Sequence, residues 1–167
     1  MQRLANYLLI SGSGQKVGKT TLACEVIARF SRHRVMAVKM SPHFHELPAG
    51  AEVVQHTPDY TIVRETLRNQ KDSSRMWQAG ASGSYYVQTR DHSLPEVIAS
   101  LNREAEGYPV VCESGALAAY FRPGVHVFVF DYLHGLQQLP ENIQPDILLP
   151  SHAGRISFPI ERLKLSD

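Results

Sequence analysis

One stretch near the start of the chain constrains its fold more than any other feature. An apolar run, YLLI at residues 7–10, leads into the glycine-rich turn SGSGQKV at residues 11–17, and GKTT at residues 18–21 then opens a helix. The apolar run predicts a buried strand, and the glycines allow the turn to bring backbone N–H groups around an anion. The positive end of the following helix dipole points to the same place. The stretch therefore predicts an anion pocket between a strand and a helix.

The helix that follows is amphipathic. Its pattern predicts a helix over residues 18–32, with Glu25 and Arg29 on the side that faces away from the core. An ordinary glycine turn before a helix is the alternative interpretation, but such a turn has no need of a lysine followed by two threonines. The apolar stripe consists of Leu22, Ala23, Val26, Ile27 and Phe30.

The turn is close to the G-x-x-x-x-G-K-[ST] pattern that binds the phosphates of nucleoside triphosphates. Counted back from Gly18, the first glycine of the pattern falls on Ser13, which has a glycine on either side. The strand before the turn and the helix after it support the assignment despite this departure. In this hypothesis Lys19 contacts the outer phosphates and takes part in catalysis, and Thr20 binds Mg²⁺. The nucleotide is expected to contact Gly14, Gln15, Lys16, Val17, Gly18, Lys19, Thr20, Thr21 and Arg75.

The composition is that of an ordinary globular protein. A length of 167 residues suits a single domain over residues 1–167, and a formal net charge of +1 gives no reason to expect nucleic acid or a membrane as a partner. Cys24 and Cys112 are the only cysteines. No apolar run reaches the length of about 18 residues that a membrane span needs, and the first strand begins too early to leave room for a signal peptide. We therefore expect a reduced, cytoplasmic protein.

Strands and helices alternate along the rest of the chain. Helices are predicted from Pro58 to about Arg68, from an Asp72 cap to Gly80, and from a capping box at residues 93–96 to Gly107, whereas residues 40–57 are predicted to be irregular. This alternation predicts an α/β fold with a doubly wound, mostly parallel sheet and helices on both faces. The further strands are predicted at residues 34–39, 84–89, 108–113 and 126–131, with late edge strands at 146–149 and 156–158.

Charged residues stand where three of these strands end, at Lys39, Glu113 and Asp131. Ligands of such sheets bind at the carboxyl ends of the strands. Glu113 ends an apolar strand and is expected to hold Mg²⁺ together with Thr20, although it could instead cap the segment that follows. Lys39 is expected to contact phosphate or a substrate carboxylate, or to form an ion pair with a nearby acid. Lys19, Lys39 and Glu113 are thus the candidate catalytic residues.

Further polar groups surround this predicted rim. His43 and His45 flank Phe44, and His56 follows further along the chain. These histidines either bind a metal ion or an anion, or are ordinary surface residues. Arg75 either reaches a phosphate or is structural, and we expect it to converge with Lys39 and His43 near the outer phosphates. Neither N-K-x-D nor T-K-x-D occurs, so the residues show no preference between guanine and adenine.

In this order of motifs the chain resembles the molybdopterin-guanine dinucleotide biosynthesis protein B family. The resemblance rests on VGKTT at residues 17–21, on Lys39 before a histidine-rich stretch, on KDSSRMWQAGA at residues 71–81, and on a strand that ends in Glu113. The family's strand ends in Val-Glu-Gly, whereas in this chain Ser114 stands between Glu113 and Gly115. The resemblance implies a dimeric P-loop NTPase that binds GTP with Mg²⁺, hydrolyses it slowly, and assists a molybdenum-cofactor assembly protein.

The loop itself also resembles that of dethiobiotin synthetase and its relatives, because QKV at residues 15–17 precedes Gly-Lys-Thr. That resemblance implies an ATP-dependent enzyme that activates a small carboxylate held between Lys19 and Lys39. A third alternative is a nucleotide switch without a metabolic substrate, in which residues 40–57 become ordered around the third phosphate.

Overall fold

The computed structural model describes residues 1–136 and 139–165. Its strands join one sheet of nine within the described residues, but strands and helices do not alternate throughout as predicted, because residues 36–64 hold three successive strands and the described residues between 110 and 156 hold four, without an α-helix among them. Short 3₁₀ turns at Asp91–Ser93, Leu117–Ala119 and Ile160–Arg162 lie between the helices and strands or after the last strand. The elements are β1 (Gln2–Gly12), α1 (Lys19–Arg29), β2 (Met36–Ser41), β3 (Glu52–His56), β4 (Tyr60–Arg64), α2 (Asp72–Gln78), β5 (Gly83–Thr89), α3 (Leu94–Ala105), β6 (Val110–Glu113), β7 (Phe121–Asp131), β8 (Ile147–His152) and β9 (Arg155–Ile156).

The sheet is mostly parallel, in the order β3-β4-β5-β2-β6-β1-β7-β8-β9. The six strands from β5 to β8 pair in parallel, whereas β4 joins β5, and β9 joins β8, in the antiparallel direction. β3 pairs with β4 as an antiparallel hairpin at the edge. The fold is therefore α/β, as predicted, and the carboxyl ends of β1, β2 and β6 lie together near the centre of the sheet.

Helices pack on both faces of this sheet. Because side chains alternate along a strand, Leu9 belongs to the core beneath α3, whereas its neighbour Ile10 belongs to the core beneath α1 and α2. The stripe predicted for the first helix is confirmed, since each of its members from Leu22 to Phe30 is buried. Residues after β8, including Ile156 and Leu163, pack against the α1 core.

The prediction of a helix from Pro58 to about Arg68 is wrong. Thr57, Pro58 and Asp59 form the tight turn of the β3–β4 hairpin, in which the Thr57 N–H donates to the Tyr60 carbonyl at 2.9 Å. The Thr57 hydroxyl also accepts hydrogen bonds from the backbone of Asp59 and Tyr60, at 3.2 and 3.1 Å. Residues 60–63, with sequence YTIV, are all buried in β4, which is the environment that aromatic and β-branched residues favour. Part of the stretch predicted to be irregular is likewise a strand, β3.

The capping predictions are also corrected. Ser93 lies at the end of a 3₁₀ turn with helical φ and ψ of −90° and −3°, and its side chain makes no capping bond to α3. At α2 the cap position is Lys71 and Asp72 is already helical, so the Asp72 side chain is available for other partners. The predicted ends of these two helices are close to the observed ones, because Gly80 and Gly107 follow α2 and α3 with φ of 115° and 84°. Among the described helices, none combines the length and apolar character that crossing a bilayer requires.

Candidate functional site

The glycine-rich turn connects β1 to α1 at the centre of the sheet. Gly18 has a φ of 97°, in the left-handed region that favours glycine, and Gly14 has a φ of 67°. The first α-helical hydrogen bond runs from the Leu22 N–H to the Gly18 carbonyl at 3.0 Å. The N–H groups of Lys19 and Thr20, which precede it, therefore have no partner within the helix and are free to bind an anion.

Ser13 stands where the nucleotide-binding pattern has glycine, and the structure gives a physical reason for the exchange. Its φ is not positive, so its backbone conformation does not require glycine. Its N–H donates to the Val129 carbonyl at 2.9 Å, and its hydroxyl accepts a hydrogen bond from the Asp131 N–H at 3.2 Å. Ser13 thereby joins the start of the turn to β7.

A second turn, between β8 and β9, supports the first from the outside. A Cβ atom on Gly18 would lie 2.7 Å from the Gly154 carbonyl oxygen, and one on Gly154 would lie 2.9 Å from the Lys16 carbonyl oxygen. Such distances exclude a side chain at either position without a shift of backbone. Gly154 itself is a weak sequence signal for a turn between β8 and β9. Nothing in the sequence indicates that this turn contacts residues 16–18.

A chain of polar contacts crosses the strand ends beside this turn. The Thr20 hydroxyl donates to Glu113 at 2.7 Å, and the Lys39 ammonium contacts the other oxygen of Glu113 at 2.6 Å. Lys39 also forms an ion pair with Asp72 at 2.9 Å, and Asp72 lies 3.8 Å from Arg75. The Arg75 guanidinium in turn donates to the Thr21 hydroxyl at 3.3 Å. Sequence reasoning found every member of this chain except Asp72, which it took for a helix cap.

Burial and charge act in opposite directions on the two lysines. Burial lowers the pKa of Lys19, an effect that Glu113 opposes and Lys39 strengthens. Burial also works against the charge of Lys39, but Glu113 and Asp72 outweigh it and leave the pKa of Lys39 above its usual value. The Glu113 carboxylate itself is only 3% exposed and is compensated by the two groups that contact it.

These groups face one cavity of about 650 Å³, which we call the loop cavity. Lys39, His43 and Arg75, which we predict to converge near the outer phosphates, all line this cavity together with Lys19. The Lys19 ammonium donates to the Gly14 carbonyl, across the mouth of the turn. The residues that line the loop cavity are Gln15, Lys16, Val17, Gly18, Lys19, Thr20, Thr21, Lys39, Met40, Ser41, Pro42, His43, Asp72, Arg75, Glu113 and Gly154.

Among the other polar residues predicted near the rim, Asp131, His45 and His56 lie outside the loop cavity, whereas His43 lines it. Asp131 does not line the loop cavity; its carboxylate accepts a hydrogen bond from the Leu133 N–H at 2.9 Å, and this backbone bond is the main reason that the pKa of Asp131 is lowered. The rings of His43 and His45 lie 6.4 Å apart, and His56 bonds to the Thr61 hydroxyl across the β3–β4 hairpin. In residues 1–136 and 139–165 no three His, Cys, Asp or Glu side chains are grouped as a metal site, so the histidines do not form one there.

The oxygens of Thr20 and Glu113 suit Mg²⁺, which prefers hard oxygen ligands and takes few from the protein when phosphates and water supply the rest. Their separation of 2.7 Å is close enough for both to enter one coordination shell once the hydrogen bond between them opens. Neither cysteine belongs to this site as a nucleophile. Burial raises the pKa of both Cys24 and Cys112, which favours the unreactive thiol.

Comparison of the chain with protein-family models, with curated proteins and with solved structures gives no significant match.

Proposed function

We propose that this chain is a P-loop NTPase that binds a nucleoside triphosphate with Mg²⁺ and hydrolyses it slowly. The observation that supports it best is the chain of contacts from Thr20 through Glu113 to Lys39, which lies beside a glycine turn and the start of an eleven-residue helix. A strand, a turn with left-handed glycines, a helix start, a lysine and a metal-binding acid are the parts that phosphoryl transfer requires. All of them face one cavity.

In this proposal the chain's own residues bind and orient the phosphates. The free N–H groups of α1 and the Lys19 ammonium contact the outer phosphate oxygens, and Arg75 of α2, whose guanidinium donates to the Thr21 hydroxyl, approaches the same oxygens. Thr20 and Glu113 would hold Mg²⁺, which would supply positive charge to balance the charge of the phosphates during transfer. Lys39 would then lose its contact with the Glu113 carboxylate but keep its ion pair with Asp72, and its ammonium would be available to contact the terminal phosphate.

The resemblance of the motifs extends the proposal to GTP as the nucleotide, and to an accessory role beside a molybdenum-cofactor assembly protein in the cytoplasm. A homodimer belongs to the same proposal. The apolar run at residues 147–149 could contribute to such a dimer if the sheet leaves it uncovered; Leu148 is exposed by 45%, whereas Leu149 is buried. Any contact between copies through this segment would therefore depend on Leu148.

A second candidate is an ATP-dependent enzyme that activates a small carboxylate. One observation favours it: a separate cavity of about 550 Å³ adjoins the loop cavity, and Lys39 lines both. A cavity of this size suits a small molecule. The accessory role makes no use of that cavity, whereas an enzyme with a second substrate would.

Thermal unfolding with ATP and with GTP, each with and without Mg²⁺, tests the proposal and separates the two candidates. A ligand that binds the folded chain alone raises the melting temperature in proportion to RT ln(1 + [L]/Kd). We expect a larger rise with Mg²⁺ than without it. A larger rise with GTP supports the accessory role, a larger rise with ATP supports the enzyme, and no rise with either nucleotide contradicts both.

A further inference from the structure

Within the described residues, two acidic side chains line the loop cavity, and they differ in how far solvent can reach them. The Glu113 side chain is only 4% exposed, and the Thr20 hydroxyl and the Lys39 ammonium contact its two oxygens. The Asp72 side chain is 40% exposed and lies at the start of α2. Asp72 is therefore the acid of this cavity that a water molecule can readily reach.

A row of short contacts fixes the place of Asp72 relative to the proposed metal ligands. Thr20 contacts Glu113 at 2.7 Å, and Glu113 contacts Lys39 at 2.6 Å. Lys39 in turn contacts Asp72 at 2.9 Å. Lys39 and Glu113 are register partners in the neighbouring strands β2 and β6, and β6 lies next to β1. The row thus leads along the strand ends away from the glycine turn, and Asp72 lies beyond Lys39.

Asp72 also interacts with the lysine that the proposed function assigns to the phosphates. Burial has the largest effect on the pKa of Lys19 and lowers it, and Asp72 is one of the charges that act in the opposite direction. Both side chains line the loop cavity. An anion held by Lys19 would therefore lie within electrostatic reach of the Asp72 carboxylate.

The Asp72 carboxylate can accept hydrogen bonds besides those of its present partners. Its Oδ2 atom contacts the Lys39 ammonium, whereas its Oδ1 atom lies 3.8 Å from the Arg75 guanidinium, which is too far for a hydrogen bond. An ionised carboxylate offers about four acceptor positions. The two cations offset its negative charge, and the remaining positions are open to a donor such as water.

Buried hydrogen bonds hold the backbone that carries Asp72. The next residue, Ser73, is only 3% exposed, and its hydroxyl donates to Glu65 at 2.8 Å. The Ser73 carbonyl accepts a hydrogen bond from the Ser84 hydroxyl of β5 at 2.7 Å. The start of α2 is therefore fixed before any ligand binds, and a group in a fixed position needs little reorganisation when a reaction begins.

Hydrolysis of a triphosphate requires a water molecule in line with the bond that breaks. The attacking and the leaving oxygen lie on opposite sides of the terminal phosphorus. In the proposed function the glycine turn holds the phosphates next to the leaving oxygen, so the attacking water approaches from the side away from the turn. Lys39 and Asp72 lie on that side. A carboxylate repels phosphate but accepts a hydrogen bond from water, which gives an acid at this place in an anion pocket a use.

We propose that Asp72 is a catalytic residue that binds and orients the water molecule which attacks the terminal phosphate. The water oxygen forms a bond to the terminal phosphorus as the bond from that phosphorus to the bridging oxygen breaks. The electron pair of the broken bond stays on the departing nucleoside diphosphate. Asp72 accepts the proton that the water loses and releases it to solvent, and inorganic phosphate is the other product. This role rests on the proposed function.

Hydrolysis and affinity, measured separately, test this role. Single-turnover hydrolysis of Mg²⁺-GTP and Mg²⁺-ATP reports the chemical step, and the β,γ-imido analogues of both nucleotides report affinity. We expect Asp72→Asn to hydrolyse bound nucleotide about 100-fold more slowly than the parent, with its affinity for the analogue changed by less than about threefold. Asp72→Glu, which keeps a carboxylate, should be faster than Asp72→Asn. Asp59→Asn is the matched control, because Asp59 is a half-exposed acid with an arginine partner that lines neither cavity.

A second measurement separates contact with the water from an effect through Lys39. Nucleoside diphosphate with aluminium fluoride mimics the transferring phosphoryl group with the attacking water in place. We expect Asp72→Asn to weaken binding of this mimic by at least about tenfold, both in the parent and in a Lys39→Gln chain, which keeps a hydrogen-bond donor for Glu113. Circular dichroism checks that each variant is folded. If Asp72→Asn has no effect in the Lys39→Gln chain, Asp72 acts only by holding Lys39, and the proposal is overturned.

The role of Asp72 and the proposed function fail in different ways. If the parent binds neither GTP nor ATP, the proposed function is wrong and the role of Asp72 is wrong with it. If the parent binds and hydrolyses nucleotide and Asp72→Asn does so at the same rate, only the role of Asp72 is wrong. Loss of rate and of analogue affinity by the same factor in Asp72→Asn would show that Asp72 serves binding and not the attack of water.

Discussion

The hydroxyl of Thr20 donates a 2.7 Å hydrogen bond to the carboxylate of Glu113, which lies 93 positions later in the chain. The bond joins the start of α1 to the end of β6, the strand next to β1 in the sheet. Because Lys39 holds the other oxygen of the same carboxylate, the charge of Glu113 is compensated without a metal ion. Binding of Mg²⁺ through these residues must therefore replace existing contacts, which makes them a sensitive place for substitution.

Thr20 offers the cleanest test of the metal site. Thr20→Val keeps the shape of the side chain but removes the hydroxyl, whereas Thr20→Ser keeps the hydroxyl. We expect Thr20→Val to lose the gain in triphosphate affinity that Mg²⁺ provides, and Thr20→Ser to retain most of it. Titration of nucleotide at fixed and at zero Mg²⁺ measures that gain. A Thr20→Val variant that responds to Mg²⁺ like the parent chain would exclude Thr20 as a ligand.

Glu113→Gln removes a buried charge and leaves Lys39 with Asp72 as its remaining acidic partner. We expect the free energy of unfolding to fall by about 1–3 kcal/mol, because a buried hydrogen-bonded charge pair loses one member. Urea unfolding measures the change, with the exposed Glu141→Gln as a control that should stay within about 0.5 kcal/mol of the parent. An equally stable Glu113→Gln chain would show that the contact between Lys39 and Glu113 contributes nothing net.

Ser13 tests whether the departure from the phosphate-loop pattern is structural. Ser13→Gly should reduce the free energy of unfolding by about 1–2 kcal/mol, since it removes the acceptor for the Asp131 N–H and frees the backbone of the unfolded chain. Ser13→Ala, which removes the acceptor alone, should cost less. Triphosphate affinity should persist in both. If affinity is lost in both variants, the Ser13 hydroxyl contacts the ligand and not only β7.

His126 should make the stability depend on pH. It is buried beneath the turn, where its ring contacts the Ser11 hydroxyl at 2.7 Å, and burial lowers its pKa below the usual 6.5, with Asp146 opposing the shift. The unfolded chain then binds the proton more readily than the folded chain. The contribution of His126 therefore makes stability fall as pH drops below about 6.5, towards the lower pKa of the folded state. Urea unfolding between pH 7 and pH 5 should show a shallower fall for His126→Gln than for the parent, and parallel curves would contradict this assignment.

The sequence predicts the centre of this molecule well and its margins poorly. β1, the turn and α1 are local in the chain, and their periodicity and glycines are visible without tertiary information. Lys39 and Glu113 could be placed because parallel strands bring their carboxyl ends to one edge. The β4 strand was missed because Thr57-Pro58-Asp59 is compatible with both a helix start and a hairpin turn, and only pairing with β5 decides between them.

Contacts between distant segments account for the rest. Asp72 pairs with Lys39 across 33 positions of sequence, and nothing around Asp72 distinguishes that role from a cap. Gly154 packs against the turn only because β8 and β9 return to β7, which no local pattern reveals. The cavity of about 550 Å³ beside the loop cavity arises from the same cause, since residues 45–51 and 65–73, some twenty positions apart in the chain, both line it.

Isothermal titration of Mg²⁺-GTP and Mg²⁺-ATP into the parent chain, Lys19→Ala and the exposed control Lys164→Ala tests the central claim most directly. We expect saturable binding of at least one nucleotide by the parent and by Lys164→Ala. Binding by Lys19→Ala should be weaker by about 10- to 100-fold, because it loses charge-assisted contacts to phosphate. Circular dichroism should show that all three chains are folded. Equal affinity of Lys19→Ala and the parent would contradict the proposal that this turn binds a nucleoside triphosphate.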